Sequence, residues 1–256
     1  MHRLRVLIVT LLLIALLPVS ASAVTNGELD AGGEYPFVGL LAFYDGDGEY
    51  LHRCSGTLIS PKVMVTASHC TDGTVSARAL FGLEITEDFR MGVGGTTGTP
   101  HTHPGYNPRT VELDVAVVEL DWPAPVAGPF PTLPGQGFLT ELKRTGQIRD
   151  DTFVAVGYGG VPGFPPSVIE FDLFRRFAIS PYQGLNRNNL HLQQNPNVDD
   201  AGGTCFGDSG GPHFWEDTLL LVSVTSWGDA ICRANDMTQR TDLEPALDFI
   251  ASFLTP

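Results

Sequence analysis

The chain has 256 residues, with 29 acidic against 15 basic side chains and a formal net charge of −14. Because phosphate binding requires a basic surface patch, which a chain this acidic lacks, we expect no nucleic-acid partner. The length fits two ordinary domains or one all-β body.

Residues 1–23 have the composition of a secretory signal peptide. A basic start is followed by an apolar run that Pro18 ends, and then by Ala21-Ser22-Ala23, the small-x-small pattern that signal peptidase cuts. The apolar run is too short to cross the roughly 30 Å hydrocarbon core of a bilayer as a helix. We therefore expect a secreted chain, extracellular or periplasmic, that begins at Val24 and leaves the membrane once the signal is removed. A retained N-terminal anchor is the alternative.

Short apolar runs between turn-forming residues are typical of β-strands, because they are rich in Val, Phe and Thr. Helical periodicity is found only at the C-terminus, where Thr241 and Glu244 have the spacing of a capping box and apolar residues share one face as far as Leu254. A connector with five prolines, residues 121–137, divides the chain into two β-rich halves. Strands are predicted at 36–44, 63–67, 115–120, 152–158 and 219–227.

An even number of cysteines behind a signal peptide suggests two disulfides formed in an oxidising compartment. Three pairings are possible among the four residues Cys54, Cys70, Cys205 and Cys232. Zinc is the alternative, which the lack of a C-x-x-C motif disfavours. His101 and His103 alternate as strand ligands would, but no third ligand is evident, so we expect neither a metal nor a cofactor.

The stretch GTCFGDSGGPHF (203–214) places Ser209 among glycines, where the backbone can bend sharply. A serine there is a nucleophile only if a base removes its proton; otherwise it is an idle residue in a turn. The same letters fit G-x-S-x-G of α/β-hydrolases, but that fold needs its acid and histidine after the serine. Only His213 follows, four positions away, so the base must come from upstream.

Two upstream stretches supply a base and an acid. VTASHC (65–70) places His69 directly after a predicted strand and beside a cysteine. ELDVAVVEL (112–120) places Asp114 at the head of another strand. A carboxylate so placed can bind an imidazole N–H and fix its tautomer and orientation.

The motifs TASHC, DVAVVEL, GDSGGP and SWG (226–228), in this order, resemble the chymotrypsin/trypsin-like family of serine peptidases, in a bacterial-looking form. The resemblance covers essentially the whole chain after the leader. It implies an all-β fold of two packed antiparallel six-stranded β-barrels, at about 24–125 and 138–240, with a C-terminal α-helix at about 242–254. It also implies a monomeric serine endopeptidase that acts on protein or peptide substrates.

The resemblance further implies the roles of individual residues. The catalytic triad is His69, Asp114 and Ser209, and the backbone N–H groups of Gly207 and Ser209 form the oxyanion hole. The disulfides are Cys54–Cys70 and Cys205–Cys232. Substrate is bound by Gly203, Ser226, Trp227 and Gly228, with Ser226 also approaching Asp114.

Relatives begin with Ile or Val at a mature N-terminus whose ammonium pairs with the aspartate before the nucleophile. In this chain Val24 and Asp208 take those places. Because Val24 directly follows the signal-peptidase site, we expect one cut to export and activate the enzyme. The alternative is that Val24 is merely a disordered end.

Substrate preference is not assigned by the sequence. Trypsins have an aspartate at the floor of the pocket where this chain has Gly203. Asp236 is either a displaced pocket charge or a solvated loop residue, and the unusual stretch RANDMTQRT (233–241) favours the loop. His52 and His213 are expected at the surface or in packing. A catalytically silent, protease-like binding module is the alternative function; such proteins typically lack a triad member, and here none is missing.

Overall fold

The structure, a computed structural model, describes residues 24–162, 168–198 and 200–254. The predicted signal peptide, residues 1–23, lies outside these ranges. Within them, no helix is both long enough and apolar enough to cross a bilayer.

A two-residue strand, β1 (Glu28–Leu29), is followed by a closed antiparallel barrel of six strands. The barrel strands are β2 (Val38–Tyr44), β3 (Tyr50–Leu58), β4 (Val63–Thr66), β5 (Ser76–Leu80), β6 (Thr96–Thr102) and β7 (Ala116–Leu120). Their order around the barrel is β2–β3–β4–β7–β6–β5. All seven residues of β2 are buried, and β7 exposes only Glu119, so these strands supply much of the core.

The second half forms another closed antiparallel barrel. Its six strands are β8 (Thr152–Gly157), β11 (Arg176–Leu185), β12 (Asn189–Gln193), β13 (Pro212–Trp215), β14 (Leu221–Gly228) and β15 (Asn235–Arg240). Two further short strands, β9 (Val161–Pro162) and β10 (Ile169–Glu170), pair antiparallel with each other. Pairing of β8 with β11 closes the ring, and β1 extends it at β11. The expected pair of six-stranded barrels is confirmed.

Each of the five predicted strands overlaps an observed strand, and no strand of either barrel lies within the connector, residues 121–137. The strands missed by the sequence are largely those of mixed polarity, such as β12 (NLHLQ) and β15 (NDMTQR). The polar side chains of these strands make contacts with distant segments, and a search for apolar runs does not detect such contacts.

Three short helices are α1 (Ser68–Thr71), α2 (Phe138–Thr145) and α3 (Glu244–Ala251). The C-terminal helix α3 is confirmed, but the predicted capping box is wrong. Leu243 is the N-cap residue, and the Thr241 hydroxyl donates to Leu221 O at 2.7 Å instead. Helix α2 was not predicted; it follows the proline-rich connector and buries Leu139 and Leu142.

Aromatic side chains join the two barrels. The rings of Tyr35 and Phe214 stack with 5.9 Å between centroids, and Phe37 meets Phe214 edge-on at 5.8 Å. The same core contains Val118 of the first barrel and Ile250 of α3. Such aromatic pairs add about 1 kcal/mol each beyond area burial. This core fixes how the two barrels face each other across the cleft.

Candidate active site

The first barrel brings His69 and Asp114 into direct contact. His69 lies in the single turn of α1 after β4, and Asp114 lies just before β7. The His69 backbone N–H donates to Asp114 Oδ1 at 2.8 Å, and ring Nδ1 lies 2.8 Å from Asp114 Oδ2. With Nδ1 bound to a carboxylate, Nε2 is the nitrogen left to act as a base.

Asp114 is held from both barrels. Its side chain is fully buried. The Ser226 hydroxyl from β14 donates to Asp114 Oδ2, as the resemblance implied, and the Asp114 backbone N–H donates to Gln239 Oε1 of β15 at 3.2 Å. The carboxylate that orients His69 is therefore fixed in place by side chains of the second barrel.

Ser209 lies in a tight turn between two glycines of positive φ, Gly207 (+101°) and Gly210 (+73°). Its carbonyl accepts a hydrogen bond from Ser55 N at 2.8 Å. A Cβ placed on Gly210 would lie only 2.7 Å from Ala67 N, so the serine turn rests directly on the segment that leads to His69. The two barrels thus bring the candidate nucleophile and the candidate base to one junction.

Two backbone donors stand beside the serine. Within the described parts of the chain, the N–H groups of Gly207 and Ser209 donate to no acceptor. The hydroxyl of Ser55 donates to Gly207 O at 2.9 Å, which fixes the peptide group between Gly207 and Asp208. Free and rigidly held N–H groups at a nucleophile are suited to binding a developing oxyanion.

Asp208 is fully buried beneath this turn. Its Oδ1 accepts from Gly159 N at 2.7 Å and its Oδ2 from Cys205 N at 2.9 Å. Cβ atoms at Gly157 and Gly159 would each lie 2.1 Å from a carboxylate oxygen of Asp208, so the absence of side chains there makes room for it.

The electrostatics of Asp208 are those of a carboxylate without a bonded cation. Burial raises its pKa from the ordinary 3.8 to about 7, and the two backbone N–H bonds oppose this rise. The negative charge of Asp236 also raises the pKa, whereas the positive charge of Arg53 lowers it. Among the described residues, Asp208 takes part in no ion pair.

Val24 is fully buried, and the segment after it is anchored to the second barrel. Gly203 N donates to Thr25 O at 3.0 Å, and the Thr25 hydroxyl donates to Cys232 O at 2.6 Å. In the full chain the nitrogen of Val24 belongs to the peptide bond with Ala23. No hydrogen bond within the described ranges joins Val24 to Asp208.

The structure contains disulfides Cys54–Cys70 and Cys205–Cys232, the pairing that the resemblance implied. The first joins β3 to α1, which carries His69. The sulfurs of Cys54 and Cys70 lie close to His69 nitrogen atoms, but because they are bonded to each other they are not thiolate ligands for a metal.

A pocket of about 230 Å³ opens beside Ser209. Ser226, Trp227 and Gly228, all predicted to bind substrate, line it together with both cysteines of the second disulfide. Gly203 does not line this pocket, because Gln194 fills the space in front of it: a Cβ on Gly203 would lie 2.4 Å from Gln194 Cβ.

The interpretation of Asp236 as a solvated loop residue is wrong, whereas His213, expected at the surface or in packing, is a buried packing residue. Asp236 lies in β15, which is paired on both sides, and its side chain is fully buried. Its Oδ2 lies 3.0 Å from His213 Nε2, whose ring is also fully buried. A polar strand such as NDMTQR gives no apolar signal, so the sequence missed this pair.

The remaining histidines bond to separate partners. His101 Nε2 lies 3.5 Å from Glu119 Oε2, whereas His103 Nε2 lies 3.2 Å from Pro245 O. His52 Nε2 lies 2.8 Å from Cys70 O, which adds to the disulfide a second link between β3 and α1. The alternation of His101 and His103 therefore reflects packing against the C-terminal segment, where the His101 ring lies 4.7 Å from that of Phe253 and the His103 ring 4.8 Å from that of Phe249.

Two closed antiparallel barrels with a histidine–carboxylate pair and a glycine-flanked serine at their junction define the class of trypsin-like serine peptidases. The family model described as trypsin matches residues 24–250, and the chain belongs to this family of serine endopeptidases.

Curated relatives include insect and mouse proteins. Trypsin of Simulium vittatum is 29% identical over 73% of this chain and 74% of its own length, and alkaline trypsin B of Manduca sexta is 24% identical over 84% and 85%. Mouse vitamin K-dependent protein C is 25% identical over 90% of this chain, which spans about half (52%) of that protein. The bacterial character of the chain stays a prediction.

Solved structures share the fold. HL collagenase superposes with a TM-score of 0.66 at 20% identity, covering 89% of this chain and 97% of its own. Human heparin binding protein superposes with a TM-score of 0.65 at 21% identity, covering 89% and 95%. At these identities the likeness extends to the architecture only.

Proposed function

We propose that this chain is a secreted serine endopeptidase that cleaves peptide bonds through an acyl-enzyme. The observation that carries the proposal is the pair of His69 and Asp114, joined by two hydrogen bonds. It leaves His69 Nε2, 3.7 Å from Cys70 Sγ, as the basic nitrogen at the junction where the Ser209 turn meets the first barrel. Two disulfides support an oxidising compartment, extracellular or periplasmic. The proposed domains are a signal peptide, 1–23, and one peptidase domain, 24–256.

Each residue of the triad has one task in the proposed reaction. Ser209 Oγ attacks the carbonyl carbon of the scissile peptide bond while His69 Nε2 takes its proton. The protonated imidazole, oriented by Asp114, passes that proton to the leaving amine as the C–N bond breaks. A water molecule, activated by the same imidazole, then hydrolyses the ester and frees Ser209.

The N–H groups of Gly207 and Ser209 bind the oxyanion of each tetrahedral intermediate. Neither has an acceptor among the described residues, and both lie next to the attacking hydroxyl, so they are available to donate. Losing one donor in such a site costs about 3 kcal/mol of transition-state stabilisation. The acyl side of the substrate enters the pocket lined by Ser226, Trp227 and Gly228.

Cleavage after Ala23 completes the site by freeing the amine of Val24. The structure supports this step because Val24 is already buried, its neighbour Thr25 is bonded to Gly203, and Asp208 is a buried carboxylate whose pKa is raised to about 7, chiefly by burial. A buried ammonium there pairs with Asp208 and ionises it. That pair fixes the Asp208 backbone and with it the Gly207 and Ser209 donors.

A fluorophosphonate probe tests the proposed nucleophile on the chain that begins at Val24. We expect covalent labelling of Ser209, none in Ser209→Ala, and labelling slower by several orders of magnitude in His69→Ala. Ser76→Ala, which changes a serine of β5 outside this pocket, is the matched control and should still be labelled at Ser209. A correctly folded chain that is not labelled would instead be the catalytically silent binding module.

A further inference from the structure

Arg53 carries an unpaired positive charge beside the candidate site. It lies in β3, directly before the disulfide-bonded Cys54, and its side chain is half-buried. Nε and Nη2 are shielded from water and have no hydrogen-bond partner in the described part of the chain, where Arg53 also forms no ion pair. Burial lowers the pKa of Arg53 from its ordinary value, yet a guanidinium remains charged at neutral pH.

The guanidinium is fixed against the oxyanion donor. Its central carbon lies 4.6 Å from the centre of the Phe171 ring, and Nη2 lies 3.2 Å from the position of a Cβ on Gly207. The carboxylate of Asp208 interacts electrostatically with Arg53, but its hydrogen bonds are with backbone N–H groups and not with the guanidinium. An unpaired cation is unexpected in a chain in which acids outnumber bases by 29 to 15.

Arg53 lies on the side of Ser209 opposite the pocket. The pocket is formed on one side of the serine by residues of β14, Thr225 to Gly228. On the other side, Ser55 of β3 binds Ser209 O through its N–H and Gly207 O through its hydroxyl. Arg53 precedes Ser55 by two residues in the same strand, so both side chains point to this face. In the proposed reaction, the part of the substrate that follows the scissile bond, which becomes the leaving group, passes over this face.

We propose that Arg53 is a specificity-determining residue that binds a carboxylate side chain in one of the two substrate residues after the scissile bond. The inference rests on the proposed peptidase function and adds a substrate class to it. A guanidinium binds a carboxylate with charge-assisted hydrogen bonds; here Nη1, the nitrogen that is not shielded, is the donor, and stacking on Phe171 holds the guanidinium plane in place beforehand. An extended peptide advances about 3.3 Å per residue, so these two residues stay within about 7 Å of the scissile bond.

Pairs of quenched fluorescent peptides test the proposal on the chain that begins at Val24. Members of a pair differ only by Glu against Gln, or Asp against Asn, at the first or second residue after the scissile bond. We expect kcat/KM to favour the acid by about tenfold at one of these positions, and the preference to shrink as NaCl rises from about 0.05 to about 0.5 M. In Arg53→Gln the ratio should fall to about 1, and Arg53→Lys should retain part of it.

The ratio within a pair cancels any general loss of activity in a variant. Arg90→Gln is the matched control, because Arg90 is an exposed neighbouring cation that lies over Phe89 rather than beside Gly207, and its ratio should stay at the wild-type value. A wild-type ratio near 1 at both positions overturns the inference whether or not Arg53→Gln folds, and so does an unchanged ratio in that variant. If no peptide is cleaved and Ser209 is not labelled, the proposed function fails, and this inference fails with it.

Discussion

The buried carboxylate of Asp208 makes a quantitative prediction about the chain before and after the cut at Val24. In the uncut chain its pKa is raised from 3.8 to about 7, chiefly because burial disfavours the charged form. The folded state therefore holds a proton on Asp208 over a pH range in which the unfolded state has lost it. A shift of this size corresponds to about 4 kcal/mol.

The sign follows from the direction of the shift. Because the folded pKa lies above the unfolded one, the contribution of Asp208 to stability is complete below about pH 4 and is lost as pH rises through 7. In the chain that begins at Val24, the proposed pairing with the free ammonium should hold the carboxylate ionised, and this loss should disappear. The two forms should therefore differ most in stability at about pH 8.

Urea unfolding from pH 4 to pH 8 measures the effect. One form begins at Val24 and the other carries Ser22-Ala23 before it; both contain Ser209→Ala to prevent self-digestion. Subtracting the curve of Asp208→Asn from that of the extended form isolates the Asp208 contribution, and we expect a fall of up to about 4 kcal/mol across this range. Asp47→Asn, at an exposed carboxylate, should leave the slope unchanged.

A difference curve that is flat from pH 4 to pH 8 would refute the reasoning about burial. An equal slope in both forms would show that the amine of Val24 does not reach Asp208.

Two further predictions concern the mature N-terminus and the pocket. The free amine of Val24 has an unfolded pKa of about 8, and pairing with Asp208 should raise its pKa in the folded enzyme. The proposed pair should therefore be intact below the unfolded pKa, and activity should be lost reversibly as pH rises through the folded pKa. A pH profile of kcat/KM with unmodified and N-acetylated enzyme checks this, and an acetylated enzyme with full activity would contradict it. Gly203→Asp should fail to create a preference for arginine and lysine, because its Cβ would lie 2.4 Å from Gln194 Cβ and the overpacking should cost about 1–3 kcal/mol in thermal unfolding. The double variant with Gln194→Gly should recover that stability, whereas a fully stable single variant would show that Gln194 moves aside.

Much of the architecture could be predicted from local patterns. The apolar runs that became β2, β4, β7, β8 and β14 are short, rich in β-branched residues and bounded by turns, which is a signal contained within each segment. His69 and Asp114 were equally visible, because each lies in a short motif next to one of these strands, whereas Ser209 was marked by the glycines around it. The motifs follow one another in the same order as in the chymotrypsin/trypsin-like family, and this resemblance indicated how distant segments come together.

What escaped the sequence depends on contacts between distant segments. Asp236 and His213 meet only because β15 and β13 are strands of one closed barrel, and nothing local marks a polar strand as buried. Thr241 has a capping-box spacing, but Leu221 offers its hydroxyl a partner that a local pattern does not reveal. The same holds for Arg53, whose lack of an acceptor is a property of the whole surroundings.

Neither barrel alone contains all three residues of the proposed triad, since His69 and Asp114 belong to one and Ser209 to the other. Substitutions at the Tyr35–Phe214 stack lie away from the cleft, yet they alter the angle between the halves and thus the approach of the hydroxyl to the imidazole. We expect them to lower turnover more than substrate affinity. A cut in the connector, residues 121–137, should not have this effect, because the two fragments stay joined by the aromatic core, which keeps the halves aligned.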